Sequence, residues 1–204
     1  MDEFDDAIKL TEEASLARSL PATLRLSSTL ADDDWSDWLR LELIGYFEEN
    51  PSMTERVDVP SYRAVPGTWQ DDDGRTLAIA DSKMLFFNKV HLRFGVAELE
   101  TFVSSGPATT SIRLPEQAGI VSSVLGVDVS TFSFERESVQ QVLTKIRKKA
   151  LEQLRRRKPA LSAADVHVRF QKQDDTFLHR PSLWGMGVEP RALWKKLRRR
   201  ALGR

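Results

Sequence analysis

Two short acidic groups in this 204-residue sequence have the composition of a metal-dependent nuclease site. Asp71, Asp72 and Asp73 precede a predicted turn and short strand, and Asp81 and Lys83 follow that strand. In such nucleases two carboxylates hold Mg²⁺, and a lysine stabilises the attacking water or the developing negative charge. The spacing is short here, and acidic hairpin tips have the same composition without any function. A metal-dependent nuclease is therefore our third hypothesis, and we assign no metal ligand and no cofactor from the sequence.

Nucleophilic catalysis finds no clear support. Ser–His–Asp chemistry needs a base within reach of a nucleophile, and the three histidines, His91, His167 and His179, accompany no nucleophile-elbow pattern. His91 and His167 lie on the polar side of alternating segments, so we predict that both are solvent-exposed. Cysteine is absent, which excludes disulfides, thiolate nucleophiles and cysteine-ligated zinc. The sequence leaves open whether the protein is an enzyme.

The strongest chemical signal is a charge asymmetry that the net charge of zero conceals. Residues 1–140 contain 12 Lys and Arg against 25 Asp and Glu, a balance of −13, whereas residues 141–204 contain 18 against 5, a balance of +13. Such asymmetry indicates a segment that faces a polyanion or a membrane. The candidate contact residues are Arg155, Arg156, Arg157, Lys158, Trp194, Lys195, Lys196, Arg198, Arg199 and Arg200.

Several partners suit this basic segment. Its Lys and Arg side chains would attract the phosphates of a nucleic acid independently of base sequence. A basic helix that carries Trp194 also suits an anionic membrane surface, or a partner protein with a groove for Leu193, Trp194 and Leu197. Alternatively, the basic part docks on the acidic part of its own chain or of a second copy in a homo-oligomer, or it is a solvated surface.

The composition is that of an ordinary globular protein, with 41% apolar and 29% charged residues. The sequence contains no run of eighteen apolar residues, so we predict no transmembrane segment. Four of its first six residues are acidic, where a secretory signal would be basic and then apolar. We therefore expect a soluble, cytoplasmic protein.

Helical periodicity dominates the first 45 residues. Residues 3–30 have apolar positions at helical spacing, and we predict that Pro21 divides them into two helices. The run of aspartates that starts at Asp32 predicts the N-terminal cap of a third helix, which begins near Trp35 and ends at Gly45.

The middle of the chain has weaker signals. Residues 48–76 are predicted to be loop-rich, because prolines and glycines interrupt any regular pattern there, with a tight turn at Asp73 and Gly74. Short strands are predicted at residues 77–80 and 90–94. A short helix over residues 96–103 and a loop rich in Ser, Gly, Pro and Thr follow. Residues 127–134 form one strand or two.

A long helix is predicted over about residues 137–157, ending at Lys158 and Pro159. Its apolar face consists of Val139, Val142, Leu143, Ile146, Ala150 and Leu154. Lysines and arginines lie largely off this face, at Lys145, Lys148, Lys149, Arg155 and Arg156. Beyond it we predict a strand at residues 165–171 and a basic amphipathic helix at residues 190–202. The predicted fold class is α+β, with a mainly helical domain with a few short strands at residues 1–158 and a basic strand-and-helix extension at residues 159–204.

Three segments together resemble the AbiTii domain, a small bacterial domain associated with abortive-infection defence against phage. The first is leucine-rich, at residues 15–30. The second, at residues 38–46, has a tryptophan, then an acidic residue followed by leucine, then glycine and tyrosine. The third, at residues 59–63, is similar to the family's proline-x-tyrosine-arginine element. Ile44 departs from the family's pattern, which has a polar residue, often Asn, before the glycine.

This resemblance covers about residues 3–157. It implies a component of an anti-phage abortive-infection system, with the effector or toxin as one role in such a system. From a different class, the alternative is a non-enzymatic binding module that uses the basic C-terminal third to bind nucleic acid or a partner protein.

The motif residues also have a physical interpretation of their own. Trp38 and Glu42 are four residues apart and share a helix face. We expect Glu42 to accept hydrogen bonds from Arg63, which brings the loop that carries Tyr62 onto the helix. In a structural interpretation, this Glu–Arg pair and the nearby tyrosine hydroxyls hold the loop in place. In the other interpretation, Glu42, Tyr46, Tyr62 and Arg63 form a binding pocket, in which the arginine suits a carboxylate or a phosphate.

Overall fold

The computed structural model describes residues 3–77, 79 and 81–164. Its helices are α1 (Glu3–Glu13), α2 (Leu16–Thr29), α3 (Asp33–Ile44), α4 (Val96–Ser105), α5 (Pro115–Leu125) and α6 (Arg136–Ala164). Its strands are β1 (Ala64–Gln70), β2 (Thr76–Leu77), β3 (Lys89–His91), β4 (Thr109–Arg113) and β5 (Thr131–Glu135). This confirms the predicted α+β class. The predicted strand at residues 165–171 and helix at residues 190–202 lie outside the described residues, and the boundary between residues 158 and 159 stays a prediction.

One antiparallel sheet lies at the centre of the fold. Its strands follow the order β2-β1-β5-β4, and β3 pairs with the first half of β1. In the register, Val65 lies opposite Val90, and Trp69 lies opposite Phe132. The residues of these two pairs are buried, so the sheet contributes one face of the hydrophobic core.

The prediction that residues 48–76 are loop-rich is wrong for β1, the strand with most partners. Pro66 and Gly67 lie inside it and suggested a loop. Pro66 is tolerated because it pairs only with β3, opposite Lys89, and the ladder with β5 begins one residue later at Gly67. The predicted turn at Asp73 and Gly74 is confirmed, since Gly74 has φ +77° in the connection between β1 and β2.

The first two helices separate at Ser15, and the predicted division at Pro21 is wrong. The Ser15 hydroxyl accepts a hydrogen bond from the Arg18 N–H and caps α2. The Glu100 carboxylate of α4 accepts two further bonds, from the N–H groups of Leu16 (2.5 Å) and Ala17 (3.3 Å). Pro21 lies in the second turn of this helix. The backbone N–H groups at the start of the helix donate to the distant side chain of Glu100.

Helix α3 is confirmed where the sequence predicts it. Asp32 is its N-cap, and its carboxylate accepts a hydrogen bond from the Trp35 N–H at 3.0 Å. Gly45 ends the helix with φ +106° and forms an isolated β-bridge with Phe94. The helix end is thereby joined to the segment that follows β3.

Helix α6 packs its predicted apolar face into the core, because all six residues of that face are buried. The helix continues to Ala164, so the prediction that it ends at Lys158 and Pro159 is wrong. A proline removes one hydrogen-bond donor from a helix. The helix tolerates this loss because ion pairs in the turn before the proline hold that turn on the protein body.

The remaining helices and strands differ more from the predictions, because their sequence patterns are weaker. Helix α4 is confirmed, and residues 127–134 contribute one strand, β5. The strands β2 and β3 are shorter than predicted, with Ala78 and Ala80 outside the described residues. Strand β4 and helix α5 were not predicted. Strand β4 lies at the sheet edge with its side chains exposed or half-buried, so its apolar alternation is weak.

Candidate functional site

A buried polar cluster lies where α3 meets the turn that leads into β1. This Glu42 cluster consists of Trp38, Glu42, Tyr46, Tyr62 and Arg63. One Glu42 oxygen, Oε1, accepts hydrogen bonds from the hydroxyls of Tyr46 (2.7 Å) and Tyr62 (2.5 Å). The other, Oε2, accepts from Arg63 Nη2 (2.5 Å) and Nε (3.1 Å). Trp38 donates to the Tyr62 hydroxyl at 3.0 Å. Both oxygens of the Glu42 carboxylate therefore accept hydrogen bonds.

Arg63 joins this cluster to the rest of the fold. It belongs to a 3-10 turn, Ser61–Arg63, that leads directly into β1. Its Nη1 donates to the backbone carbonyls of Leu92 (3.0 Å) and Phe94 (2.7 Å). The side chains of Glu42 and Arg63 are both 0% exposed. The expected ion pair therefore exists, and its geometry ties α3, the turn and the segment after β3 together.

The two tyrosines of the cluster act as hydrogen-bond donors. Burial raises the pKa of the Tyr46 hydroxyl well above its ordinary value, and the negative charge of Glu42 raises it further. Burial and Glu42 also raise the pKa of Tyr62. Both phenols therefore keep their protons at neutral pH and donate them in hydrogen bonds to the Glu42 carboxylate.

Of the four residues proposed for a binding pocket, the structure brings all together but buries most of them. Glu42, Tyr46 and Arg63 are at most 1% exposed. Tyr62 lines a surface pocket, on the side that faces α6. In this geometry the arginine fork is directed at Glu42 and at two backbone carbonyls, as the structural interpretation expects.

The surface pocket beside Tyr62 is cationic. Among the described residues, its lining consists of Tyr62, Lys145, Lys148, Lys149, Glu152 and Gln153, and its volume is about 290 Å³. We call it the lysine pocket. The Lys149 ammonium lies 4.9 Å from the ring centroid of Trp38 and 5.1 Å from that of Tyr62, within cation–π range. Lys149 thus connects the lysine pocket to the Glu42 cluster beneath it.

Lys149 is half-buried, and its electrostatic environment is mixed. Burial lowers the pKa of its ammonium, while the nearby carboxylates of Glu42 and Glu152 act in the opposite direction. Lys145 and Lys148 are exposed on the same helix. The sequence placed these three lysines off the apolar face of α6, but it did not identify them as a site, because Tyr62 is more than eighty residues away along the chain.

Three of the four basic residues at 155–158 hold α6 on the acidic body. Arg155 binds Glu12 at 2.7 Å, Arg157 binds Asp32 at 2.6 Å, and Lys158 binds Asp5. The Arg157 guanidinium also lies 4.4 Å from the Trp35 ring centroid. Three of these four predicted contact residues therefore pair with carboxylates of their own chain, and Arg156 is exposed.

The other predicted contact residues, Trp194, Lys195, Lys196, Arg198, Arg199 and Arg200, lie outside the described residues.

The arginine partner of Asp32 changes the pKa of its carboxyl group. Burial alone would raise its pKa, but hydrogen bonds from the Trp35 N–H and from Arg157 outweigh burial and lower it.

The acidic groups that resembled a nuclease site take turn-forming roles. Asp71 accepts a hydrogen bond from the Arg75 N–H, and Asp81 accepts one from the Lys83 N–H. No group of three or more acidic or histidine side chains suited to a metal occurs among the described residues. His91 is half-buried in β3, not solvent-exposed as predicted, and burial lowers its pKa. His167 and His179 lie outside the described residues.

The fold thus defines the class of protein: an α+β domain in which a buried Glu–Arg cluster lies under a cationic helix. The model of the AbiTii family matches residues 5–175, most of the chain, and the protein belongs to the AbiTii family. The family's name associates it with abortive-infection defence of bacteria against phage. The comparison with curated proteins finds no match, and neither does the comparison with solved structures. Within the described residues, none of the helices is long and apolar enough to cross a membrane.

Proposed function

We propose that this AbiTii-family protein acts in phage defence by binding nucleic acid through its basic C-terminal third. The observation that carries the proposal is the charge partition, −13 over residues 1–140 and +13 over residues 141–204. Phosphate attraction by clustered Lys and Arg provides affinity without base-specific contacts. Family membership supports the defence role.

The ion pairs of α6 indicate which of its Lys and Arg side chains are available to bind nucleic acid. Arg155, Arg157 and Lys158 serve as structural partners of body carboxylates. Lys145, Lys148 and Arg156 are exposed on the same helix, and Lys195 to Arg200 add five further cations in sequence. The proposed contact surface therefore consists of these residues, and the paired residues contribute to it mainly by fixing α6.

The alternative is that the same basic third binds a partner protein or a second copy of this chain. Its support is the acidic balance of residues 1–140, which a second copy would offer to the basic part. Binding to a second copy would appear as self-association in sedimentation experiments without nucleic acid, which separates it from nucleic-acid binding.

We expect the protein to bind labelled DNA and RNA with an affinity that falls steeply as salt rises. Three phosphate contacts alone would weaken binding by about tenfold or more between roughly 50 and 200 mM salt. Replacing Arg198, Arg199 and Arg200 together by Gln should lower the slope of log affinity against log salt by about three. Fluorescence anisotropy in a salt series, with and without Mg²⁺, measures this, and the Mg²⁺ arm also detects cleavage.

A matched triple variant tests whether the effect is local. Arg18, Arg75 and Arg113 are exposed arginines of the first 140 residues, and their replacement by Gln removes the same charge. This control should retain the salt slope of the wild type. Binding that is absent or insensitive to salt would contradict the proposal, as would equal losses in the two triple variants.

We further propose that the protein is the effector of its system, the component that arrests or kills the infected cell before phage release; family membership supports the defence role in general. We expect cells that express the protein to stop growing on phage infection, and the Arg198, Arg199 and Arg200 variant to lose this response. Growth and phage titre measured after infection at high multiplicity check it. Unaltered phage release from cells that make the folded wild-type protein would contradict the effector role.

A further inference from the structure

We propose that the lysine pocket is a binding site for a small phosphorylated ligand, whose phosphate lies between Lys145, Lys148 and Lys149. This goes beyond the proposed nucleic-acid binding, because the ligand is a small molecule and the site is a pocket. Its volume of about 290 Å³ is at the lower end of the range for small-ligand sites. A phosphate with a small substituent fits such a volume, whereas a duplex does not.

The spacing of the three lysines supports an anion between them. Lys148 and Lys149 follow Lys145 by three and four residues, so all three project from neighbouring positions of one helix face. Like charges at this spacing repel one another and destabilise a helix slightly. A phosphate would replace this repulsion by three charge-assisted hydrogen bonds.

The floor of the pocket is rigid. The Tyr62 hydroxyl donates to Glu42 and accepts from Trp38, which fixes its ring. The Lys149 ammonium packs over the Tyr62 and Trp38 rings, so its position is also constrained. Side chains that are held in place before binding lose little conformational entropy when a ligand arrives.

Glu152 is the acidic residue of the lining, and it makes the proposal testable in two directions. Its carboxylate lies on the same helix, four residues after Lys148 and three after Lys149. It attracts the lysines but repels an anion in the pocket. The removal of its charge should therefore strengthen phosphate binding, whereas removal of a lysine charge should weaken it.

The experiment measures binding to the full-length protein by isothermal titration calorimetry. The probes are inorganic phosphate, pyrophosphate and adenosine monophosphate at low ionic strength, which separate a bare anion site from a nucleotide site. Lys145→Gln and Lys148→Gln should each raise the Kd by about tenfold, the loss of one charge-assisted contact. Glu152→Gln should lower the Kd several-fold. All three side chains are exposed, so the variants are expected to fold.

Arg155→Gln is the matched control. Arg155 is an exposed cation of the same helix that pairs with Glu12 outside the pocket, and its loss should leave the Kd unchanged. Lack of saturable binding to all three probes would overturn the proposal. So would equal effects of Arg155→Gln and Lys148→Gln, or changes of the same sign for Glu152→Gln and Lys148→Gln.

Lys145 and Lys148 belong both to the lysine pocket and to the proposed nucleic-acid surface, so a variant outside the pocket separates the two proposals. The variant with Gln at positions 198, 199 and 200 should bind the small probes like the wild type, since the proposed phosphate contacts come from Lys145, Lys148 and Lys149. Retained probe binding without any nucleic-acid binding would therefore contradict the proposed function and leave the lysine pocket assignment intact.

Discussion

Replacing Arg63 by alanine is expected to destabilise the protein by about 3–5 kcal/mol, a large fraction of the free energy of unfolding of an ordinary domain. The substitution leaves the Glu42 carboxylate fully buried beside two tyrosine hydroxyls, without its cationic partner. It also removes the donors to the carbonyls of Leu92 and Phe94. Urea unfolding, followed by circular dichroism, measures the change in the free energy of unfolding.

Arg40→Ala is the matched control for this prediction. Arg40 also pairs with an acidic residue of α3, Asp37, at 3.1 Å, but both side chains are about half exposed. An exposed pair of this kind contributes about 0–1 kcal/mol, so the control should unfold close to the wild-type midpoint. If Arg63→Ala is as stable as Arg40→Ala, the cluster is not a structural anchor, and a ligand-binding role for Arg63 gains support.

Gly67→Ala is expected to destabilise the protein by about 3 kcal/mol or more, because β1 and β5 approach closely at this residue. A Cβ atom at Gly67 would lie 2.2 Å from the Ser133 carbonyl oxygen and 2.6 Å from the Phe132 ring. Phe132 is buried and packs against Trp69 in the core, so neither the strand nor the ring can shift without wider rearrangement.

Gly119→Ala provides the opposite expectation in the same protein. Gly119 lies inside α5, and a Cβ atom there would meet nothing within 4 Å. Alanine in a helix interior is favoured over glycine by about 0.5–1 kcal/mol, so this variant should be slightly more stable. Urea midpoints of both variants test the pair. Equal stability of Gly67→Ala and the wild type would show that β1 and β5 do not pack as described.

The elements that the sequence predicted well are those with local signals. The cap at Asp32, the stop at Gly45 and the apolar face of α6 each depend on residues within one or two helical turns. The ion pair of Glu42 and Arg63 was also anticipated, because a carboxylate on a helix face and an arginine after a proline-tyrosine segment are chemically complementary.

The central sheet was not predictable in the same way. Strand β1 contains Pro66 and Gly67, which locally favour a loop, and its identity depends on pairing with β5 more than sixty residues later. Residues at the edge of the sheet, in β4, had too few apolar positions to show alternation. Long-range pairing overrides local propensity in these strands.

The amino-acid order alone established the helices α3 and α6, the charge partition and the family resemblance, since each depends only on neighbouring residues or on composition. The tertiary structure decided which partners the charged side chains have. It paired Arg155, Arg157 and Lys158 with carboxylates more than 120 residues away, and it placed Tyr62 beside the lysines of α6. Contacts of this kind depend on which surfaces the core brings together, and helix periodicity carries no information about that choice.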